Sequence, residues 1–313
     1  MDASYFCSLF GQPFGNKRET HMERAMGQVG LGIMGGAMAR NLLAAGWTVH
    51  GYDPDPAVAA AMTQAGVRMH PDVASLAQVA PVIMTSLPSA AALHATAAAI
   101  AAAGTPPRTV VEVSTMALED KIRFGDVLSA AGHTPLDCPI SGTGGQAKTK
   151  DLVIYASGDT AAIKALQPFF AAFTRAVHDL GEYGKGSKMK YVANLLVAIN
   201  NVASAEAMVL GIKSGLDPHQ VVDLVTAGAG TSRVFELRAP MMADQRYEDA
   251  TMKMSVWQKD MAIIGSFATA LGVPTPLLSA TIPVYASAMA TGHAEHDTAA
   301  VCAVLERMAG LER

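Results

Sequence analysis

Two groups of residues in this 313-residue chain have the types and spacing to do chemistry. The first is a glycine turn, Gly30-Leu31-Gly32-Ile33-Met34-Gly35. The second is Lys190 and Asn194, which stand at i and i+4 and share one face of any helix that carries them. In the turn, Gly30 permits a tight reversal, Gly32 lets backbone approach a pyrophosphate, and Gly35 lets a helix sit close to a strand. Amides at the start of the following helix, around Leu31, Ile33 and Met34, receive the phosphate charge. The lysine suits proton transfer. Oxidising an alcohol needs a base for the hydroxyl proton as hydride leaves carbon, and burial brings a lysine from near 10.4 toward a useful range. Asn194 is placed to hydrogen-bond the lysine or the substrate.

Asp53 follows Gly35 by 18 residues, at the end of a predicted second strand. A carboxylate there accepts from both ribose hydroxyls of NAD and repels a 2′-phosphate. Pro54, not an arginine, follows it, so NAD is preferred over NADP. Open α/β sheets bind ligands outside the carboxyl ends of their strands. Leu87-Pro88 and Ser114-Thr115 occupy such ends, which makes Leu87, Pro88 and Thr115 candidates for lining the cofactor cleft.

The stretch Asp137-Cys138-Pro139-Ile140-Ser141-Gly142-Thr143-Gly144-Gly145-Gln146-Ala147 is dense in small residues. A hydroxyl at Ser141 and amides at Gly142 and Thr143 suit a carboxylate gripped without a charged side chain. Arg233 is a candidate for a second anionic group. Gly292-His293-Ala294-Glu295-His296-Asp297 lacks a helix-borne His-Glu-x-x-His and is expected to be a solvated loop, with no metal site.

The elements that must position these groups follow a rhythm. From about Ala25 the pattern runs strand, turn, helix. Strands are expected at Ala25–Val29 (weakened by Gln28), 47–52, 67–69, 81–86, 109–113, 134–137 and 151–156. Helices at 34–45, 57–65, 90–103 and 118–131 are each closed by glycine. Residues 73–107 carry no charge and read as a buried strand and an alanine-rich helix, too interrupted to span a membrane. After about Gly184 strands cease. A long apolar helix, 188–213, is followed by one that Asp217-Pro218 opens as N-cap and first-position proline, and by helical stretches near 232–242, 252–271, 276–289 and 298–310. The fold class is therefore α/β, a Rossmann-type doubly wound parallel sheet followed by an all-α C-terminal domain. The domains are 25–184 and 185–313, the second opening on a long interdomain helix. Residues 1–24 show no period and read as a disordered or non-native tail.

Half the residues are apolar and 16% are charged, which suits a compact enzyme with much buried surface. A net charge of −4 gives no basic field for nucleic acid. Three cysteines without pairing or zinc spacing point to a reducing cytoplasm.

Four ordered segments resemble the β-hydroxyacid dehydrogenase family, whose best-known member is 3-hydroxyisobutyrate dehydrogenase. They are Val29 to Gly35; Asp137-Cys138-Pro139-Ile140-Ser141-Gly142; Gly184-Lys185-Gly186 with Lys190 and Asn194; and Lys259-Asp260. The resemblance spans nearly 290 residues. It implies that Lys190 is the catalytic lysine, that Asn194 supports it, and that Ser141 and Gly142 hold the substrate carboxylate. It also implies that Lys259 reaches back toward cofactor and substrate, and that the protein is a homodimer or homotetramer. Thr143 stands where the family has a second glycine, Cys138 where alanine is usual, and Ala193 and Met252 also depart from the pattern. The expected reaction is NAD-dependent oxidation of a small 3-hydroxy acid, or reduction of its semialdehyde. The alternatives are an NADPH-preferring semialdehyde, glyoxylate or imine reductase, and a non-catalytic dinucleotide-binding module. A decarboxylating phosphosugar-acid dehydrogenase would share the first domain but needs a longer helical half.

Overall fold

A computed structural model describes residues 24–313. The expected tail and Cys7 lie outside the described residues, Arg24 excepted. The first half alternates strands and helices: β1 (Ala25–Val29), α1 (Ile33–Ala44), β2 (Thr48–Tyr52), α2 (Pro56–Gln64), β3 (Arg68–Met69), α3 (Val73–Val79), β4 (Val82–Thr85), α4 (Ala90–Ala102), β5 (Thr109–Glu112), α5 (Leu118–Ala130) and β6 (Thr134–Asp137). These six strands are parallel, in the order β3-β2-β1-β4-β5-β6. The order reverses between β1 and β4, so the ligand-binding crevice belongs above their carboxyl ends.

The sheet continues through β7 (Ile140–Ser141), α6 (Gly144–Lys148), β8 (Val153–Gly158), α7 (Thr160–Ala165), α8 (Gln167–Phe170) and β9 (Ala176–Asp179). Here β8 runs antiparallel to β6 and β7 and parallel to β9. Apolar clusters cover both faces. Met38, Leu42, Phe169, Phe170 and Phe173 belong to one, and Leu76, Leu93, Ile100, Phe124 and Leu128 to the other.

The remainder is helical: α9 (Lys185–Lys213), α10 (Pro218–Ala227), α11 (Arg233–Asp244), α12 (Met254–Ala270), α13 (Pro276–Ala290), a 3₁₀ turn at Thr298–Ala300 and α14 (Val301–Met308). By length and composition α9 is apolar enough to cross a membrane. It is instead the spine of the helical core, and Ala198, Ala205 and Met208 are fully buried against its neighbours.

Four expectations are corrected. Helix α3 was not read from the sequence, although Asp72 caps it by accepting from Ser75 N; its seven residues are too few to display a period. Helix α9 starts at Lys185, not 188, because Gly184 takes φ 90° as its N-cap and Gly186 lies in its first turn. Gln28 does not weaken β1. It is fully buried and its Nε2 donates to Gly30 O at 3.0 Å, holding the glycine turn. The 292–297 loop is not simply solvated. Asp297 is fully buried, paired with Arg238 and accepting from Thr251 N and Met252 N. His293 Nδ1 and His296 Nδ1 lie 2.9 Å apart. No metal-ligand cluster occurs among the described residues.

Candidate active site

The glycine turn sits at the crevice. Gly30 takes φ +83°, and a Cβ on it would lie 2.1 Å from Ser86 O at the end of β4. A Cβ on Gly35 would lie 2.0 Å from Gly30 O, so α1 starts directly against the turn. Gly32 differs: a Cβ there would meet nothing within 4 Å. No neighbouring group of the described chain requires glycine at that point, whereas a phosphate against the backbone would. No side chain caps α1, which leaves its first amides for an anion. Asp53 stands beside the turn, accepting from Leu31 N at 2.7 Å and Asp55 N at 3.0 Å, so the Leu31 amide, expected to take phosphate charge, is already spent on Asp53. Ile33 is exposed, Met34 half-buried and Leu31 buried beneath. These residues fit a bound dinucleotide.

Across the crevice, Leu87 N donates to Ser114 Oγ at 2.7 Å, tying the end of β4 to the end of β5. Pro88 is exposed beside it. Thr115 O accepts from Lys259 Nζ of α12, so the helical half reaches the crevice at this carbonyl. Tyr191 of α9 anchors the same loop, donating to Met116 O at 2.6 Å.

Lys190 and Asn194 lie on the buried face of α9, at 7% and 4% exposure; neither side chain is turned to bulk water. Loss of water around the ammonium pulls Lys190 down from 10.5 to about 8. Asp260 opposes that shift and Lys259 adds to it. Asn194 Nδ2 donates to Asp260 Oδ2 at 2.9 Å, and Lys259 Nζ lies 3.4 Å from Asp260 Oδ1. Asp260 is thus the hub of the cluster. In the sequence it appeared only as Lys259's neighbour, since a carboxylate's partner three helices away carries no spacing signal.

The small-residue loop borders the start of α9. A Cβ on Gly186 would sit 2.7 Å from Asp137 O and 3.1 Å from Pro139 Cδ. Ser141 is half-buried at the end of β7, and Gly142 takes φ +143°. One expectation fails at Thr143. Its N–H already donates to Gln146 Oε1 at 3.1 Å, in a capping box at the head of α6. That amide is not free for a carboxylate, which leaves Ser141 and Gly142. Asp137 also faces away from the loop: its carboxylate is fully buried against Ser187. Arg233 lies 2.9 Å from Glu236 and 3.6 Å from Asp151, so its guanidinium already has partners.

Comparison with known proteins shows the family. Residues 25–181 match the family model for the NAD-binding domain of 6-phosphogluconate dehydrogenase. Residues 184–305 match the model described as NAD-binding of NADP-dependent 3-hydroxyisobutyrate dehydrogenase. An L-threonate dehydrogenase of Cupriavidus necator is 32% identical over 90% of this chain and 95% of its own length. The chain belongs to the β-hydroxyacid dehydrogenase family. The crystal structure of 3-hydroxyisobutyrate dehydrogenase from Salmonella typhimurium superposes with a TM-score of 0.79 at 29% identity, covering 90% of this chain and 99% of that one. The Mycobacterium tuberculosis 3-hydroxyisobutyrate dehydrogenase solved with L-serine gives 0.82 at 26%, over 91% and 99%. As a β-hydroxyacid dehydrogenase the chain is an NAD(P)-dependent oxidoreductase of CH–OH groups.

Proposed function

We propose that this enzyme oxidises a small 3-hydroxy acid, or reduces the corresponding semialdehyde, with Lys190 as the proton carrier and NAD as the preferred dinucleotide. The observation that carries the reading is Lys190 itself, a buried ammonium brought to about 8 and framed by Asp260, Lys259 and Asn194. A lysine in that range exchanges protons near neutral pH, as a general base or acid must.

Ser141 Oγ and the Gly142 amide hold the substrate carboxylate, which leaves the hydroxyl-bearing carbon toward Lys190. Nicotinamide, when bound, supplies the hydride acceptor. Lys190 Nζ takes the hydroxyl proton as the C–H hydride departs, and gives it back in reduction. Asn194 fixes Asp260, which holds the ammonium's surroundings constant through the cycle. Thr115 O and Lys259 draw the helical half onto the crevice and exclude water. Asp53 supports NAD, because its carboxylate stands at the turn where a 2′-phosphate would be repelled.

A second copy of the chain completes the assembly in this reading. Along α9, Val192, Leu196 and Leu210 are more than half exposed, an apolar row suited to a homodimer or homotetramer contact. Buried free thiols at Cys138 and Cys302 support a reducing, cytoplasmic setting.

The test is turnover of hydroxyisobutyrate, hydroxypropionate, hydroxybutyrate, glycerate and threonate with NAD⁺ and NADP⁺, by the parent and by Lys190→Ala. The parent is expected to oxidise at least one acid faster with NAD⁺, and the variant to lose about 10²- to 10⁴-fold. A variant that matches the parent overturns the assignment of Lys190.

A further inference from the structure

Helix α5 buries Lys121, Phe124, Gly125 and Leu128 along one stripe. A lysine therefore heads an apolar row, fully buried, where an aliphatic side chain would be ordinary. It meets two carboxylates that are equally buried. Lys121 Nζ pairs with Glu112 Oε2 at the end of β5 and, at 2.9 Å, with Asp137 Oδ1 at the end of β6. It also donates to Ser114 O at 3.1 Å.

Each carboxylate then reaches further. Glu112 Oε1 accepts from Ser114 N at 2.9 Å, and Ser114 Oγ accepts from Leu87 N at 2.7 Å. That branch ends at the crevice edge of β4. Asp137 accepts from Ser187 N at 2.8 Å and Ser187 Oγ at 2.9 Å. Ser157 Oγ donates to Asp137 Oδ2 at 3.3 Å and accepts from Gly186 N at 2.9 Å. That branch ends in the first turn of α9, three residues before Lys190. Tyr183 Oη, just ahead of α9, donates to Lys121 O at 3.1 Å.

Two buried carboxylates share one ammonium. The remaining negative charge faces the amide end of α9, where a helix N-terminus favours it. Such an arrangement gains little stability over apolar side chains of the same shape, since desolvation cancels most of the attraction. What it does provide is fixed direction. Every lone pair used points to one partner, so α9 enters at one rotation relative to the turns after β4 and β5.

We propose that Lys121, Glu112, Asp137 and Ser187 form a positioning network that sets the rotation of the Lys190 helix against the cofactor-side turn. It rests on the reading of Lys190 as proton carrier. None of the four touches the reacting atoms; they act through α9 and through Ser114 and Leu87.

Two variants cut the network at opposite ends. Ser187→Ala removes one donor to Asp137 and leaves Lys121 paired, while Glu112→Gln keeps shape but loses the charge. Each folded variant is expected to lose about ten- to a hundredfold in kcat, the usual result of a small misplacement, with KM for the hydroxy acid changed less than about threefold. The pH midpoint of kcat/KM is expected to move as Lys190 shifts relative to Asp260 and Lys259. Ser187→Thr keeps the hydroxyl donor and is expected to recover both readings. Parental kcat and pH midpoint in both cutting variants, with only a lower Tm, overturn the proposal, as does a threonine variant no better than alanine. If the parent turns over no hydroxy acid, the functional reading fails by itself. The network is then read from pH-dependent acetylation of Lys190, followed by peptide mass spectrometry. A midpoint of about 8 in the parent that shifts in Ser187→Ala supports it, and an unmoved midpoint overturns it.

Discussion

In the proposed mechanism, the pH at which this enzyme works follows from one buried ammonium. Lys190 has lost most of its water and sits at about 8, against 10.5 for a free side chain. At pH 7 such a lysine is neutral in about one molecule in ten, whereas an ordinary one is neutral in about one in three thousand. Burial thus enlarges the pool of usable base about 300-fold, equivalent to about 3 kcal/mol at 1.36 kcal/mol for each pH unit. Log kcat/KM for oxidation is therefore expected to rise with unit slope below about 8 and level off above it, when initial rates are followed by nicotinamide absorbance from pH 6 to 10. Reduction should mirror this, flat below the midpoint and falling above it, because the protonated form is then the reactant. Asp260 is the charge that raises Lys190 against its burial, so Asp260→Asn should move both midpoints to lower pH. The same shift carries a sign for stability. The unfolded chain binds the proton up to 10.5 and the folded chain only up to about 8, so this group makes the fold more stable as pH rises through that window. At pH 7 the full cost is present. Lys190→Met should accordingly melt no lower than the parent at pH 7 while turning over poorly. A midpoint near 10, or an upward move in Asp260→Asn, would show that the ammonium is not held as described.

The glycine turn and Asp53 give two further expectations. Gly32→Val points its side chain into open space and should leave Tm within a few degrees of the parent while abolishing NADH binding by fluorescence; Gly30→Ala, with φ +83° and Ser86 O in the way, should instead unfold the protein at lower temperature. Asp53→Ala removes the charge beside Leu31 N and should raise the NADP⁺-to-NAD⁺ ratio of kcat/KM at least about tenfold; an unchanged ratio would place cofactor choice elsewhere.

Much of the fold was legible because its signals are local. Glycines after helices, apolar runs four or five residues long, and the Asp217-Pro218 helix start each act within a few positions. What stayed hidden was mostly remote in cause, the seven-residue α3 excepted. The strand β8 was expected, but its antiparallel direction depends on the loop and the short α6 that return the chain after Ser141. The burial of Asp297 depends on Arg238 and on Thr251, 46 residues away. The site divides the same way. The glycine turn and the Lys190–Asn194 spacing were readable from the residues and the Lys259-Asp260 pair only through the family resemblance, yet what each group touches was not. Asn194 turned out to hold Asp260, and Thr143 spends its amide on Gln146.

One residue shows where the boundary between the legible and the hidden lies. Lys121 falls in register with Phe124 and Leu128 on the apolar stripe of α5, a charge where the helix period demands an apolar group. Periodicity exposes such a conflict but cannot name its resolution. The partners stand on two strands, nine residues upstream and sixteen downstream, and become neighbours only when β5 and β6 pair. A helix face that breaks its own pattern is therefore a pointer to a long-range polar contact. In this chain that contact lies between the cofactor-side turn and the helix that carries Lys190.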